Sequence, residues 1–138
     1  MKNEICKPAN NLLISKLYTL DNTSELVEAS IDSLTIYYVG YADSLVYDNQ
    51  KSVGEINLPL SDTATFLQVV VKMNEFTDTI SIDYKAIEVF RSVECGVINR
   101  YTINNIEHTK NKLWELYLYN NQVDESKEAN IFLVFRPH

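Results

Sequence analysis

The side chains best suited to chemistry are few: two cysteines, two histidines, and acids scattered among turn residues. Nucleophilic catalysis of the triad kind needs a hydroxyl or thiol, a histidine base and an acid that orients the base. His108 is the sole internal histidine, because His138 ends the sequence, and no Gly-x-Ser-x-Gly elbow accompanies it. Its neighbour Thr109 is not oriented as a nucleophile by adjacency alone. Metal ligation needs donors at set spacings, and neither Cys-x-x-Cys, His-x-x-x-His nor a calcium loop of alternating aspartates occurs. Asp43, Asp48 and Asp62 stand among turn residues, where a short carboxylate serves by bonding local backbone. The expectation is therefore no catalytic residues, no metal and no cofactor. A small hydrolase built on paired carboxylates is the remaining enzymatic reading, since a spatial pair leaves no trace in sequence.

Cys6 and Cys95 admit two readings. An even count with wide separation fits one structural disulfide, which belongs in an oxidising compartment. It would close a loop of about 90 residues and add about 4 kcal/mol in the chain-entropy picture. Two reduced thiols, one buried and one on an N-terminal arm, fit as well. The nine tyrosines and single tryptophan are the other feature. Tyr37-Tyr38 and Tyr117-x-Tyr119, with Trp114 nearby, offer flat faces on which sugars stack, although tyrosine is also favoured in strands for cross-strand pairing. In Tyr37-Tyr38 one ring must point inward and the other outward.

The elements that hold these residues are strands. Period-two alternation dominates, with Tyr, Ile, Val, Phe and Thr heavily used. From Phe76 to Phe90, Ile80, Ile82 and Tyr84 alternate with Thr79, Ser81, Asp83 and Lys85. Leu67 to Met73 precedes that run, and Asn74-Glu75 between them reads as a short hairpin turn. Further strands are expected over Leu12–Leu20, Ser33–Val39, Ser44–Tyr47, Val53–Leu58, Val97–Ile103, Lys112–Tyr119 and Ile131–Phe135. Their separators are Asp21 to Ser24, Gly40 to Asp43, Asp48-Asn49-Gln50, Ser61-Asp62, Asn104-Asn105 and Asn120-Asn121. Ser24 to Ser30 reads as a loop rather than two helical turns. About 8–10 short strands without crossover helices indicate an all-β, mostly antiparallel sandwich of Greek-key topology, immunoglobulin- or transthyretin-like. Residues 1–11 form an N-terminal arm and residues 12–138 a single domain. The expected core is Leu17, Ile36, Tyr38, Leu45, Ile56, Leu58, Leu67, Val69, Val71, Ile80, Ile82, Tyr84, Trp114, Leu116, Leu118, Leu133 and Phe135.

With 138 residues, 46% of them apolar, the chain has enough material for one core. Its formal charge of −7, with no basic cluster longer than two residues, argues against nucleic acid. No segment approaches the roughly 18 apolar residues of a membrane span. The N-terminal residues lack the apolar run of a signal peptide, so the sequence is cytoplasmic or an exported form whose signal has been removed.

Four segments carry a resemblance: Asp43 to Tyr47, Ile56-Asn57-Leu58-Pro59-Leu60, Asp78 to Tyr84, and Val93-Glu94-Cys95-Gly96. In this order and spacing, from about Ser33 to Ile103, they resemble a family of small uncharacterised exported proteins of gut-type anaerobic bacteria. Many of these are lipoproteins. The family reads as a β-sandwich of unknown function, with a cysteine-glycine pair after a long central hairpin and another cysteine near the N-terminus. The resemblance implies export to the periplasm or cell envelope, a disulfide between Cys6 and Cys95, and a signal removed ahead of Met1. It assigns no catalytic residues, and the chain departs from it in lacking a lipid-attachment context around Cys6. Together these readings give a non-enzymatic envelope module for binding or assembly, with a protein or a glycan as partner. The alternative is an acidic protective protein that neutralises a basic partner through Asp124, Glu125 and Glu128.

Overall fold

The computed structural model describes residues 11–40, 45–61, 63–124 and 126–136. Among these, eleven strands and no helix occur: β1 (Leu12–Leu20), β2 (Leu26–Glu28), β3 (Ile31–Tyr38), β4 (Leu45–Val53), β5 (Glu55–Pro59), β6 (Phe66–Met73), β7 (Phe76–Ser92), β8 (Gly96–His108), β9 (Leu113–Leu118), β10 (Gln122–Val123) and β11 (Ile131–Phe135). They form two sheets that pack face to face as a β-sandwich. The first runs β2-β1-β11-β9, with β5 lying beside the first half of β1 and β2 beside its second half. The second runs β10-β8-β7-β6-β3-β4.

The alternation in β6 and β7 explains the centre of the second sheet. Val69, Val71, Ile80, Ile82 and Tyr84 point to the opposite sheet and are buried, while the intervening polar residues face water. Asn74-Glu75 makes the expected two-residue turn, with Met73 paired to Phe76. Asn74 takes the left-handed conformation at φ 57, which asparagine tolerates well. From β4 the chain crosses to the first sheet at Gly54, then returns to lay β6 beside β3. The fourth strand of that run lies beside the first, which is the Greek-key relation. Pairing is antiparallel throughout except between β1 and β11, which run parallel from Ser15↔Ile131 to Thr19↔Phe135.

Several expectations are corrected. Ser24 to Ser30 contains strand β2 rather than only a loop. The Asp21 carboxylate accepts from Thr23 N, Thr23 Oγ1 and Glu25 N, and Ser24 adopts φ 65, so the chain doubles back tightly enough to pair with β1. Asp48-Asn49-Gln50 lies inside β4, where Asn49 and Ser52 adopt left-handed φ and the register against β3 slips instead of turning. Asn104-Asn105 lies inside β8, because Asp83 pairs with Asn105 and Tyr84 with Ile103, leaving Asn104 as an extra, bulged residue.

Most of the expected core is buried, but Leu45, Trp114 and Leu118 are exposed, and Tyr38 and Leu116 are only partly buried. Leu45 sits on β4, the edge of its sheet. On β9, Val134 pairs with Glu115 but Phe135 pairs with Leu113, so Trp114 is bulged out and Leu113 takes its inward place. Leu118 keeps the inward phase at the end of an edge strand, where little covers it. Of the expected arm, residues 1–10 lie outside the described residues; Asn11 is buried and donates through Nδ2 to Asn99 O at 2.9 Å.

Candidate functional site

The residues best suited to catalysis are brought together, yet in roles that use up their chemistry. Thr109 Oγ1 donates to Asp78 Oδ1 at 2.6 Å, whereas His108 Nδ1 meets the backbone oxygen of Thr109 at 2.6 Å. The imidazole therefore addresses a carbonyl and not the hydroxyl, which points instead at a buried carboxylate. Asp78 also accepts from the backbone N–H groups of Asn111, Lys112 and Leu113, so its two oxygens hold the β8–β9 crossover.

Cys95 lies in the turn between β7 and β8, where its N–H donates to Ser92 Oγ at 3.0 Å. Gly96 follows at φ 72, a conformation that glycine adopts without the Cβ penalty of other residues. Cys6 lies outside the described residues, and with it the geometry of the expected Cys6–Cys95 bridge.

At one mouth of the sandwich, Tyr38, Val39, Leu60, Phe66 and Tyr84 line a cavity of about 640 Å³. Three phenols converge nearby on consecutive carbonyls: Tyr38 donates to Pro59 O, Tyr101 to Leu60 O and Tyr84 to Ser61 O, at 3.0, 3.2 and 3.1 Å. Ser61 N donates back to Tyr84 Oη. Burial pushes the Tyr38 phenol up, and the neighbouring Tyr84 phenol adds to that. The hydroxyls strap the β5–β6 connection to the second sheet, and the remaining walls of the cavity are largely apolar.

The outer face of the first sheet is different. Its outward-pointing residues are those that alternate with the core: Ile14, Lys16 and Tyr18 on β1, Glu55 and Asn57 on β5, Phe132 on β11 and Tyr117 on β9. The parallel pairing sets Lys16 opposite Phe132 on one side, and the β9 ladder sets Tyr117 opposite Phe132 on the other. The Tyr18 ring meets Phe132 edge-on at 5.3 Å, and Tyr119 stacks on Phe132 at 4.8 Å and 23°. Such edge and offset contacts fix ring orientation and add about 0.5–1.5 kcal/mol each. Tyr117 and Tyr119 are 51% and 64% exposed, so over half of each remains open to a partner. At the bulge, Trp114 is exposed at the margin of this row, with the Arg136 guanidinium 4.7 Å from its ring centre.

Beside the rings, Ile14, Lys16, Glu55, Asn57, Asp124 and Lys127 line a shallow groove of about 240 Å³, which Leu12 also borders. Lys16 Nζ and a Glu55 oxygen form an ion pair at 2.8 Å across the β1–β5 ladder. The hydrogen bond to Lys16 holds the Glu55 carboxyl below its usual range, and Glu55 likewise raises the Lys16 ammonium. A depressed carboxylate stabilises above its unfolded pKa and loses that contribution as pH falls through the folded value; a raised ammonium stabilises below its unfolded pKa and loses it as pH rises through the folded value. The pair therefore acts between the acid and strongly alkaline limits. Both side chains are more than a third exposed, so screening keeps the pair at no more than about 0.5 kcal/mol. Lys16→Met is accordingly expected to shift the thermal midpoint by less than about 3 °C at pH 7, and by still less at pH 3. Differential scanning fluorimetry at the two pH values checks this.

Tyr117, Tyr119 and Trp114 are thus the sequence-expected aromatics that the fold assembles; Tyr37 and Tyr38 are on the other sheet. Tyr18 and Phe132 were not expected in the site. Their outward phase was readable, but their adjacency depends on a parallel pairing between the first and last strands. Of the acids expected to meet a basic partner, Asp124 accepts from Ser126 N and Oγ, and Lys127 stands between it and Glu128 in sequence. Glu125 lies outside the described residues.

Residues 33–135 match the sequence model of a family of unknown function, DUF6452. The chain belongs to that family. The match runs from within β3 to the end of β11, including the Cys95-Gly96 turn and two of the strands that present the aromatic row. Strand β1, which supplies Tyr18 and Lys16, precedes the matched segment. No curated protein and no solved structure matches the chain.

Proposed function

We propose that this family member is a non-catalytic, exported module of the cell envelope that binds its partner through the outer face of the first sheet. The observation that carries the reading is the contiguous row of Tyr18, Phe132, Tyr117 and Tyr119, held by ring contacts and open at its β9 side. Rigid aromatics that lose little conformational freedom on binding are effective anchors. The acidic-protective reading is less well supported, because the Asp124 carboxylate is engaged in its own turn.

Export is supported by the cysteine pair and by the resemblance to exported β-sandwich proteins. Native protein, denatured without reductant and titrated with a thiol reagent, is expected to show no free thiol, with two appearing after reduction. Two thiols before reduction would remove the bridge and return the protein to a reducing compartment.

For the binding face, the full chain is expected to sediment with envelope fractions of a gut anaerobe. The double variant Tyr117→Ala/Tyr119→Ala should stay in the supernatant, with at least tenfold less in the pellet. Both side chains are exposed, so its thermal midpoint should lie within a few degrees of the parent. Equal pelleting of both proteins would refute the assignment of this face.

A further inference from the structure

On the reading that this face is the binding surface, we infer that its ligand is a neutral glycan chain, with sugar rings stacked on the tyrosine row and their hydroxyls held in the Lys16–Glu55 groove. The inference rests on how apolar and charged groups are interleaved. A protein partner would bury the centre of this face, and interface centres are depleted of charge because an ion pair there must be stripped of water. Here Lys16, paired with Glu55 of the neighbouring edge strand, stands directly opposite Phe132, so a protein that covered the rings would cover the ion pair as well. A sugar has no such conflict. One face of its ring is a sheet of C–H groups that packs on an aromatic plane, while its rim carries hydroxyls that both donate and accept. Hydroxyls replace water at the ammonium, which only donates, and at the carboxylate, which only accepts.

Asn57 adds a side-chain amide on the same wall, and Lys127 closes the groove from the loop. The rings are pre-set: Phe132 is gripped edge-on by Tyr18 and face-on by Tyr119, so stacking costs little further ordering. Charge selects the class of glycan. The chain carries a formal −7, and Glu28 opposite Tyr18 and Glu115 opposite Val134 add carboxylates to this face. A uronic-acid or sulfated polymer would be repelled, which leaves a neutral one.

The test is affinity electrophoresis of the full chain through gels containing soluble β-glucan, xylan, galactomannan, α-mannan or α-glucan, with polygalacturonate as the acidic control. At least one neutral polymer should retard the protein and polygalacturonate should not. Tyr119→Ala should weaken the retardation at least tenfold, Tyr119→Phe should leave it within about twofold, and Glu55→Gln should weaken it several-fold, with all three folded by circular dichroism. In parallel, the envelope fraction is oxidised with periodate, which cleaves vicinal diols, before sedimentation; pelleting should then be lost. If no neutral polymer retards the protein, or retardation survives in Tyr119→Ala, the glycan assignment fails. If pelleting survives periodate yet is still lost in Tyr117→Ala/Tyr119→Ala, the face binds something other than sugar, and only the glycan assignment falls. If the double variant pellets like the parent, the face itself was wrongly assigned and both readings fall together.

Discussion

Replacing Asp78 with alanine is expected to lower the unfolding free energy by about 4 kcal/mol, the cost of breaking a buried charged network. The side chain is 1% exposed and accepts four hydrogen bonds of 2.6–2.9 Å, from Thr109 Oγ1 and the N–H groups of Asn111, Lys112 and Leu113. Those N–H groups belong to the end of the crossover that leaves β8 and to the first residue of β9. Alanine leaves all four donors without their acceptor, the Leu113 N–H fully buried and the other three partly so. For a chain of this size the thermal midpoint should fall on the order of 15 °C. Asp78→Asn keeps the shape but turns one acceptor into a donor facing other donors, and should cost about 2–3 kcal/mol. Thr109→Val removes one contact of the set and should cost about 1–2 kcal/mol. Thermal melts of the three variants give the ranking. An Asp78→Ala protein melting within 3 °C of the parent would show that the carboxylate does not hold the crossover.

Asn130→Ala is the second large loss expected, at about 3 kcal/mol. The Asn130 side chain, 1% exposed, accepts from Ile14 N at 3.0 Å and donates to Asn120 O and Gln122 O at 3.0 and 2.7 Å. Its backbone N–H donates to Ile14 O, and its carbonyl accepts from Tyr119 and Asn120. One residue thus ties β1, the end of β9 and the start of β10 to the entrance of β11. Asn130→Asp is the sharper variant, because at neutral pH it sets a carboxylate against two carbonyls while keeping the contact to Ile14. Urea melts should rank Asn130→Asp below Asn130→Ala at pH 7. Hydrogen exchange at the Ile14 amide should speed up in Asn130→Ala; an unchanged rate there would contradict the arrangement.

The sandwich was legible because its central strands obey strict alternation. The Ile80-Ile82-Tyr84 phase and the Asn74-Glu75 turn follow from local chemistry, and the second sheet grows from them. What could not be read were irregularities that preserve a strand through residues that look like a turn. Asn49 and Asn104 are asparagines in both kinds of setting, and only the partner strand decides whether the chain bends back or bulges. The bulge at Trp114 had the largest consequence, since slipping one position moves a side chain to the opposite face. It turned an expected core tryptophan into the margin of the candidate site. Asp78 shares the inward phase of Ile80, Ile82 and Tyr84, yet its role and that of Asn130 could not be read, because the backbone groups they satisfy lie more than 30 residues away for Asp78 and as far as Ile14 for Asn130. The aromatic row was half visible: Tyr117-x-Tyr119 announces itself on one strand, whereas Tyr18 and Phe132 meet only through long-range pairing.

The parallel pairing of β1 with β11 also bears on how the molecule comes to be folded. Strand β11 is not an appendage; it lies inside the first sheet between β1 and β9, and its residues Ile131, Leu133 and Phe135 are buried. Until β11 is made, β1 has no partner on that side and β9 has none at all in its sheet. Contacts this distant in sequence carry a heavy loop-closure cost and are among the slowest to form. The second sheet, with its β6-β7-β8 meander of neighbouring hairpins, can assemble while synthesis proceeds; the first cannot. The first sheet therefore stays open until β11 emerges, more than a hundred residues after β1.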